Sequence, residues 1–146
     1  MGFLTMDKQR AHQILLAKKA AVEEFPFGPD VAVFKVAGKM FATLADNHDR
    51  DSNPAYRACA RINLKCDPQE ALMLRDVFDA VLPGYHMNKK HWNTLYLSQA
   101  NKSTDIPLGE IERQIDNSYA LVLLGMTKAM RRSLEVSYSN EQLYGK

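Results

Sequence analysis

Residues 56–66 read Tyr-Arg-Ala-Cys-Ala-Arg-Ile-Asn-Leu-Lys-Cys, the cleanest alternation of apolar and polar side chains in the chain. A period of two places alternate side chains on opposite faces of an extended segment. The pattern therefore predicts a half-buried antiparallel strand, with small and aliphatic residues on one face. Its other face is cationic, because Arg57, Arg61 and Lys65 all fall on it.

Helix signals follow this strand. Asp67-Pro68-Gln69-Glu70 combines a capping residue, a proline at the first helical position and a glutamate in the first turn, which predicts a helix start. Asp105 and Pro107 open a longer helix near the end of the chain. Its apolar residues recur at spacings of three and four, so this helix should cover the core. They are Leu108, Ile111, Ile115, Tyr119, Val122 and Met126.

The segments before the strand predict one more helix and a hairpin. Thr5 or Asp7 can cap a first helix that runs to about Val22. Residues 23–30 suit a short edge strand and a turn, and residues 31–37 and 39–45 read as a hairpin. We interpret residues 46–53 as an exposed polar loop, 81–85 as a turn and 91–97 as another strand.

Strands clustered among separate helices predict an α+β fold. We expect a two-layer sandwich, with an antiparallel sheet of about five to six strands and three helices packed on one face. The other face should remain wet and polar. A length of 146 residues fits one domain, and 46% hydrophobic with 25% charged residues is typical of a globular chain. No apolar run is long enough for a membrane span, and Lys8, Arg10, Lys18 and Lys19 interrupt any apolar region of a signal peptide. We therefore expect a cytoplasmic protein without a membrane partner.

The sequence carries no recognisable catalytic or cofactor-binding constellation. Cys59 and Cys66 have the wrong spacing for a zinc knuckle or redox pair, and they read as reduced structural thiols. His86 and His91 do not have metal-ligand spacing, and no glycine-rich phosphate loop or nucleophile elbow occurs. We therefore expect a protein that is not an enzyme and has no metal or cofactor. A pocket lined by His86, Asn88 and His91 would reopen the enzyme hypothesis.

The basic residues favour a binding function. Arg57, Arg61 and Lys65 share a predicted strand face, and Lys89-Lys90-His91 leads into Trp92. Such cations could contact phosphates while Trp92 and Tyr96 stack on bases. The same charges could equally keep an exposed sheet soluble. A net charge of +2 does not decide between these interpretations.

Several blocks together resemble the MmcQ/YjbR family of small bacterial proteins, over about residues 8–128. They are Glu24-Phe25-Pro26-Phe27-Gly28, Val33-Phe34-Lys35-Val36, Gly38-Lys39-Met40-Phe41-Ala42, Arg61-Ile62-Asn63-Leu64-Lys65-Cys66-Asp67-Pro68, residues 83–94 and Ile115-Asp116-Asn117-Ser118-Tyr119. The resemblance implies a CyaY-like or secretion-chaperone-like α+β fold. It also implies DNA binding through a double-wing arrangement of the hairpins.

The resemblance and the strand pattern together give the candidate nucleic-acid contacts. Those carried by the resemblance are Lys35, Lys39, Lys65, Asn88, Lys89, Lys90, His91 and Trp92, and Arg57 and Arg61 come from the strand pattern. We expect mainly phosphate contacts with little sequence specificity. The alternative is a protein-interaction or chaperone-like module, a monomer or weak dimer, that uses Val31, Val33, Trp92 and Tyr96 on the open sheet face.

Two features depart from the family pattern. The loop from Asp46 to Pro54 is longer and acidic, and its carboxylates would repel phosphate if it folded over the basic face. We expect the family-like domain to span residues 1–132, with residues 133–146 forming a tail that is either a short helix or disordered.

Overall fold

One six-stranded antiparallel sheet organises the chain in the computed structural model, which describes residues 6–47, 53–99 and 103–145. The strands are β1 (Ala21–Glu24), β2 (Val31–Val36), β3 (Lys39–Asp46), β4 (Ala60–Lys65), β5 (Val81–Pro83) and β6 (Trp92–Tyr96). The helices are α1 (Lys8–Leu16), α2 (Pro68–Val77), α3 (Leu108–Leu124), α4 (Lys128–Ser137) and α5 (Asn140–Tyr144), with a 3₁₀ turn at Pro54–Tyr56. The predicted α+β fold is confirmed.

The strand order is β1-β2-β3-β4-β6-β5, so β4 lies near the middle and the β5–β6 hairpin pairs with it through β6. One sheet face carries the core. One row of paired residues on this face crosses four strands, and all of its members are buried: Ala32, Leu44, Ile62 and Leu95. The alternation predicted for the central strand therefore places its aliphatic side chains against the helices.

Helices α1, α2 and α3 pack on this face. Asp67 caps α2 as predicted, because its carboxylate accepts from the backbone N–H groups of Gln69 and Glu70. Helix α3 buries Ile111, Ile115 and Tyr119. A stripe at spacings of three and four thus forms the main lid of the core, as the sequence predicts.

The second sheet face is covered over the middle of β4 and β6, which corrects the expectation that the whole face stays wet. Asn63 and Thr94 are 4% and 1% exposed. The Asn63 amide donates to the Tyr85 carbonyl at 3.2 Å, and the Tyr85 N–H donates to the Thr94 hydroxyl at 2.8 Å. The connection between β5 and β6 therefore folds over this face, and its backbone satisfies the polar side chains beneath it.

Several predicted boundaries were wrong. Strand β4 begins at Ala60, so Arg57 precedes the strand, and Cys59 lies in the core rather than on a cationic face. Helix α1 ends at Leu16, six residues before its predicted end, and the short strand β5 occupies part of a predicted turn. Most of the predicted acidic loop, residues 48–52, lies outside the described residues, as does Thr5.

Two short helices follow α3 in the C-terminal segment. Thr127 caps α4, and Ser139 begins α5 with a capping box in which Gln142 reciprocates. Leu143 is 2% exposed and belongs to the main core. Within the described residues no helix combines the length and apolar character needed to cross a membrane.

Candidate functional site on the lysine end and second face

The β2–β3 turn and the β5–β6 connection lie at the same end of the strands. Val36 pairs with Lys39 across the β2–β3 turn, and Lys65 at the end of β4 pairs with Trp92 at the start of β6. The Cys66 N–H donates to the carbonyl of His91 at 2.8 Å, which ties the end of β4 to the β5–β6 connection. We name this end of the sheet, which carries Lys39, Lys65, Lys89 and Lys90, the lysine end.

Internal hydrogen bonds hold the β5–β6 connection, residues 84–91, in place. Arg75 of α2 donates through Nε to the Asn93 side chain at 2.7 Å and through Nη2 to the carbonyls of Lys89 and Trp92. Asn88 accepts from the Lys90 N–H at 2.9 Å and so closes a turn. Arg75 and Asn88 thus position the two lysines.

The four side chains of the lysine end are not equivalent. Lys39 and Lys90 are exposed, and Lys65 is half-buried. The ammonium group of Lys89 bends back to donate to the Gly84 carbonyl at 3.2 Å. Lys35, another predicted contact, forms an ion pair with Glu24 at 2.9 Å, which offsets its charge.

Other predicted contacts lie elsewhere or are covered. Arg57 is exposed beside the 3₁₀ turn, at the opposite end of β4 from Lys65. Trp92 is 9% exposed and Tyr96, stacked on Tyr56 at 4.9 Å between ring centres, is 4% exposed. Neither ring presents a free face on which a base could stack, so the expected aromatic platform was wrong.

Arg61 lies on the second face, where the β5–β6 connection covers the sheet. Its guanidinium carbon is 4.3 Å from the centre of the Tyr85 ring, and Nη1 donates to the Asn47 side chain at 3.2 Å. The ring of His86 lies 4.0 Å from that of Tyr85. His86 has a φ of 57°, in the left-handed region that non-glycine residues rarely adopt.

Beside this stack lies a cavity of about 340 Å³, which we name the Arg61 pocket. It is lined by Phe27, Val31, Met40, Thr43, Ala45, Arg61, Asn63, Tyr85, His86 and Met87. The lining includes His86 but neither Asn88 nor His91, so it is not the three-residue pocket that would reopen the enzyme hypothesis. In the described ranges, no cluster of three His, Cys, Asp or Glu side chains could hold a metal ion.

The two thiols are buried structural groups. Cys59 and Cys66 are both buried, neither is in a disulfide, and both belong to the core. Burial, with a smaller contribution from Glu70 and Asp67, raises the pKa of Cys66 to about 11. A thiol with so high a pKa is a poor nucleophile at neutral pH.

The sequence did not predict that Phe27 and Tyr85 line the Arg61 pocket. Phe27 sits in a proline-glycine turn and is 73% exposed, and Tyr85 sits in a segment predicted only as a turn. Large aromatic side chains within turns were the available signal, because a turn offers them no core to fill.

The fold and these two surfaces define a small α+β domain with a covered antiparallel sheet and a basic hairpin edge. A family model, YjbR, matches residues 16–121. The chain belongs to the YjbR family.

The relatives that it matches include bacterial proteins. The chain is 36% identical over 129 residues to the uncharacterized protein YbdF of Escherichia coli O157:H7, and the match covers 84% of this chain and 93% of YbdF. It is 30% identical over 107 residues to the uncharacterized protein YjbR of Escherichia coli strain K12, covering 73% and 79% of the two chains.

Solved structures agree with the fold. Protein DR2400 of Deinococcus radiodurans matches with a TM-score of 0.70 at 30% identity, covering 90% of this chain and 89% of that one. A Pseudomonas syringae protein matches with a TM-score of 0.65 at 27% identity, covering 80% and 99%.

Proposed function

We propose that this protein is a non-enzymatic, cytoplasmic DNA-binding module that contacts the phosphate backbone through its lysine end. The observation that carries the proposal is the convergence of two hairpin ends, with Lys39 at one and Lys89 and Lys90 at the other. Lys65 stands at the end of β4, between them in the sheet. Lysines are point charges that attract phosphate without reading bases, so this surface would bind with little sequence preference.

The fixed backbone of the β5–β6 connection supports the same proposal. Arg75 and Asn88 hold the connection before any ligand arrives, so little ordering entropy opposes binding. The buried Trp92 removes the stacking component that single-strand binding would use. Duplex DNA should therefore bind at least as well as a single strand of equal length.

Fluorescence anisotropy with a labelled random duplex and the matching single strand tests this proposal at 50 and 200 mM salt. Neutralising three to four phosphates gives a log–log salt slope near −3, so affinity should fall roughly 40- to 150-fold over that range. In the Lys65→Ala, Lys89→Ala, Lys90→Ala triple variant only Lys39 remains at this end, and the fall should shrink to about fourfold.

A triple variant with the same charge change provides the matched control. Arg10, Lys128 and Arg132 lie exposed on α1 and α4 rather than at the hairpin ends. Their replacement by Ala should leave most of the affinity and a steep salt slope. Equal losses in the two triple variants would mean that net charge, not the lysine end, attracts DNA, and salt-insensitive binding would exclude the proposal altogether.

Exposed side chains on α2 favour a second candidate, a protein-interaction surface. The open-face residues expected to form such a surface are covered, since Val33, Trp92 and Tyr96 are all buried. Leu72, Met73 and Val77 are instead 64%, 57% and 62% exposed on one helix. We propose weak self-association through this stripe, which light scattering would reveal as a concentration-dependent mass that Leu72→Glu abolishes.

A further inference from the structure

The Arg61 pocket has the size and shape of a small-molecule site. At about 340 Å³ it lies near the lower end of the range for ligand pockets, roughly 300–1,000 Å³. Its floor consists of side chains on β3 and β4, and Tyr85, His86 and Met87 form one wall. The Asn63 amide donates to the Tyr85 carbonyl and the Tyr85 N–H donates to the Thr94 hydroxyl. These hydrogen bonds hold the wall against the sheet, so the pocket is formed without a ligand.

One permanent charge enters this pocket. The Arg61 guanidinium is half-buried, and its contacts within the described residues are the Tyr85 ring and, through Nη1, the Asn47 side chain. No carboxylate of residues 6–47, 53–99 or 103–145 forms an ion pair with it. Nε and Nη2 thus keep donors for a bound anion, in the fork geometry that matches a carboxylate.

The rest of the lining suits an apolar, planar body. Met40, Met87 and Phe27 all line the cavity, and thioethers make favourable contacts with aromatic rings. The Asn63 amide is already engaged, with its nitrogen on the Tyr85 carbonyl and its oxygen on the Thr94 hydroxyl. The pocket therefore offers one cationic anchor beside mostly apolar walls, which favours a monoanion over a doubly charged phosphate.

We propose that the Arg61 pocket binds a small aromatic carboxylate, with the carboxylate on Arg61 and the ring against Met40, Met87 and Phe27. This site is separate from the proposed DNA contact, because Lys39, Lys65, Lys89 and Lys90 do not line the cavity. It goes beyond the proposed function and does not depend on it.

Calorimetry and two-dimensional amide NMR on the full chain test the proposal. The probes are benzoate and 2-naphthoate, each beside its neutral carboxamide. We expect 2-naphthoate to bind with a Kd of about 1 mM or tighter, the affinity a fragment of its size can reach. Its shift changes should centre on residues 27, 40, 61 and 85–87, and the carboxamide should bind at least tenfold more weakly.

Two variants locate the anion and the ring. Arg61→Gln should weaken 2-naphthoate at least tenfold and leave the carboxamide within about twofold, because only the charge-assisted bond is lost. Phe27→Ala should weaken both probes and leave the fold intact, because Phe27 is 73% exposed. Arg132→Gln on α4 is the matched charge control and should bind like the parent.

Four results would overturn the proposal. The first is that neither carboxylate binds at about 20 mM, a concentration well above the expected Kd. The second is equal binding of the acid and its amide, and the third is shift changes confined to another surface. The fourth is a folded Arg61→Gln variant that binds 2-naphthoate like the parent. Phe27→Ala serves as the deciding variant if Arg61→Gln does not fold, and parent-like binding by it would then count against the site.

Discussion

The hydroxyl of Ser118 in α3 donates to the carbonyl of Phe41 in β3 at 2.7 Å and accepts the Lys65 N–H of β4 at 2.8 Å. One helical side chain thus joins two neighbouring strands at the point where their own pairing, last made by Ala42 and Leu64, stops. Ser118 is fully buried, so its hydroxyl is shielded from solvent.

Replacing this hydroxyl should be costly. Ser118→Ala leaves a buried carbonyl and a buried N–H without partners, and we expect the free energy of unfolding to fall by about 1–3 kcal/mol. Urea denaturation measures the change. Ser133→Ala, on the exposed side of α4, is the control and should change stability by less than about 0.5 kcal/mol. Equal changes in the free energy of unfolding of the two variants would show that the two hydrogen bonds of Ser118 do not stabilise the fold.

Two glycines provide a matched pair for testing the β5–β6 connection. A Cβ at Gly84 would come within 2.8 Å of the Trp92 Cβ and 2.9 Å of its carbonyl oxygen, whereas a Cβ at Gly109 in α3 meets nothing within 4 Å. Gly84→Ala should therefore destabilise the protein by about 1–3 kcal/mol, and Gly109→Ala should stabilise it by up to about 1 kcal/mol. Thermal melts compare both with the parent. Tolerance of alanine at position 84 would mean that the connection lies farther from Trp92.

The Arg75 guanidinium should control the order of the same connection. Arg75→Lys keeps the charge but loses the fork that reaches Asn93 and the carbonyls of Lys89 and Trp92. We expect faster amide hydrogen exchange in residues 84–91 and little change in β2 and β3. Uniform acceleration across the sheet would instead indicate global destabilisation, and unchanged exchange would mean that other contacts hold the connection.

The buried thiol predicts a loss of stability at alkaline pH. Burial raises the pKa of Cys66 from about 9 to about 11, so the folded state keeps its proton where the unfolded chain releases it. The contribution of Cys66 is therefore complete below pH 9 and disappears as pH rises through 11, a change of about 3 kcal/mol. The test is the free energy of unfolding of the parent and of Cys66→Ala at several pH values. The parent should fall more steeply between pH 9 and 11, and parallel curves would contradict the assignment.

The parts of the fold that follow from local chemistry were predictable from the sequence. The Asp67 cap and Pro68 fix the start of α2, and the apolar spacing of α3 reports its buried face directly. The start of β4 was not predictable in the same way. Arg57 and Cys59 continue the alternation of residues 60–65, yet the 3₁₀ turn at Pro54–Tyr56 and the bend that follows it delay the extended conformation until Ala60.

The second face was mispredicted because its cover is not local. Asn63 lies 22 residues from Tyr85 and 31 residues from Thr94 in the sequence, so the local pattern gives no sign that the segment of Tyr85 covers these two polar side chains. Alternation reports that a residue faces away from the helices. It does not report whether a loop returns to cover that residue, and this is why Trp92 and Tyr96 looked available from the sequence.

The buried leucine of α5 bears on where the folding unit ends. The family model stops at residue 121, but Leu143 and Met6, both outside that region, are each almost wholly buried in the core. A recombinant fragment trimmed to residues 16–121, or ended at 132, would expose the apolar surface these side chains cover. Such a fragment should be prone to aggregation, so expression of this chain is best planned around residues 6–145 as one unit.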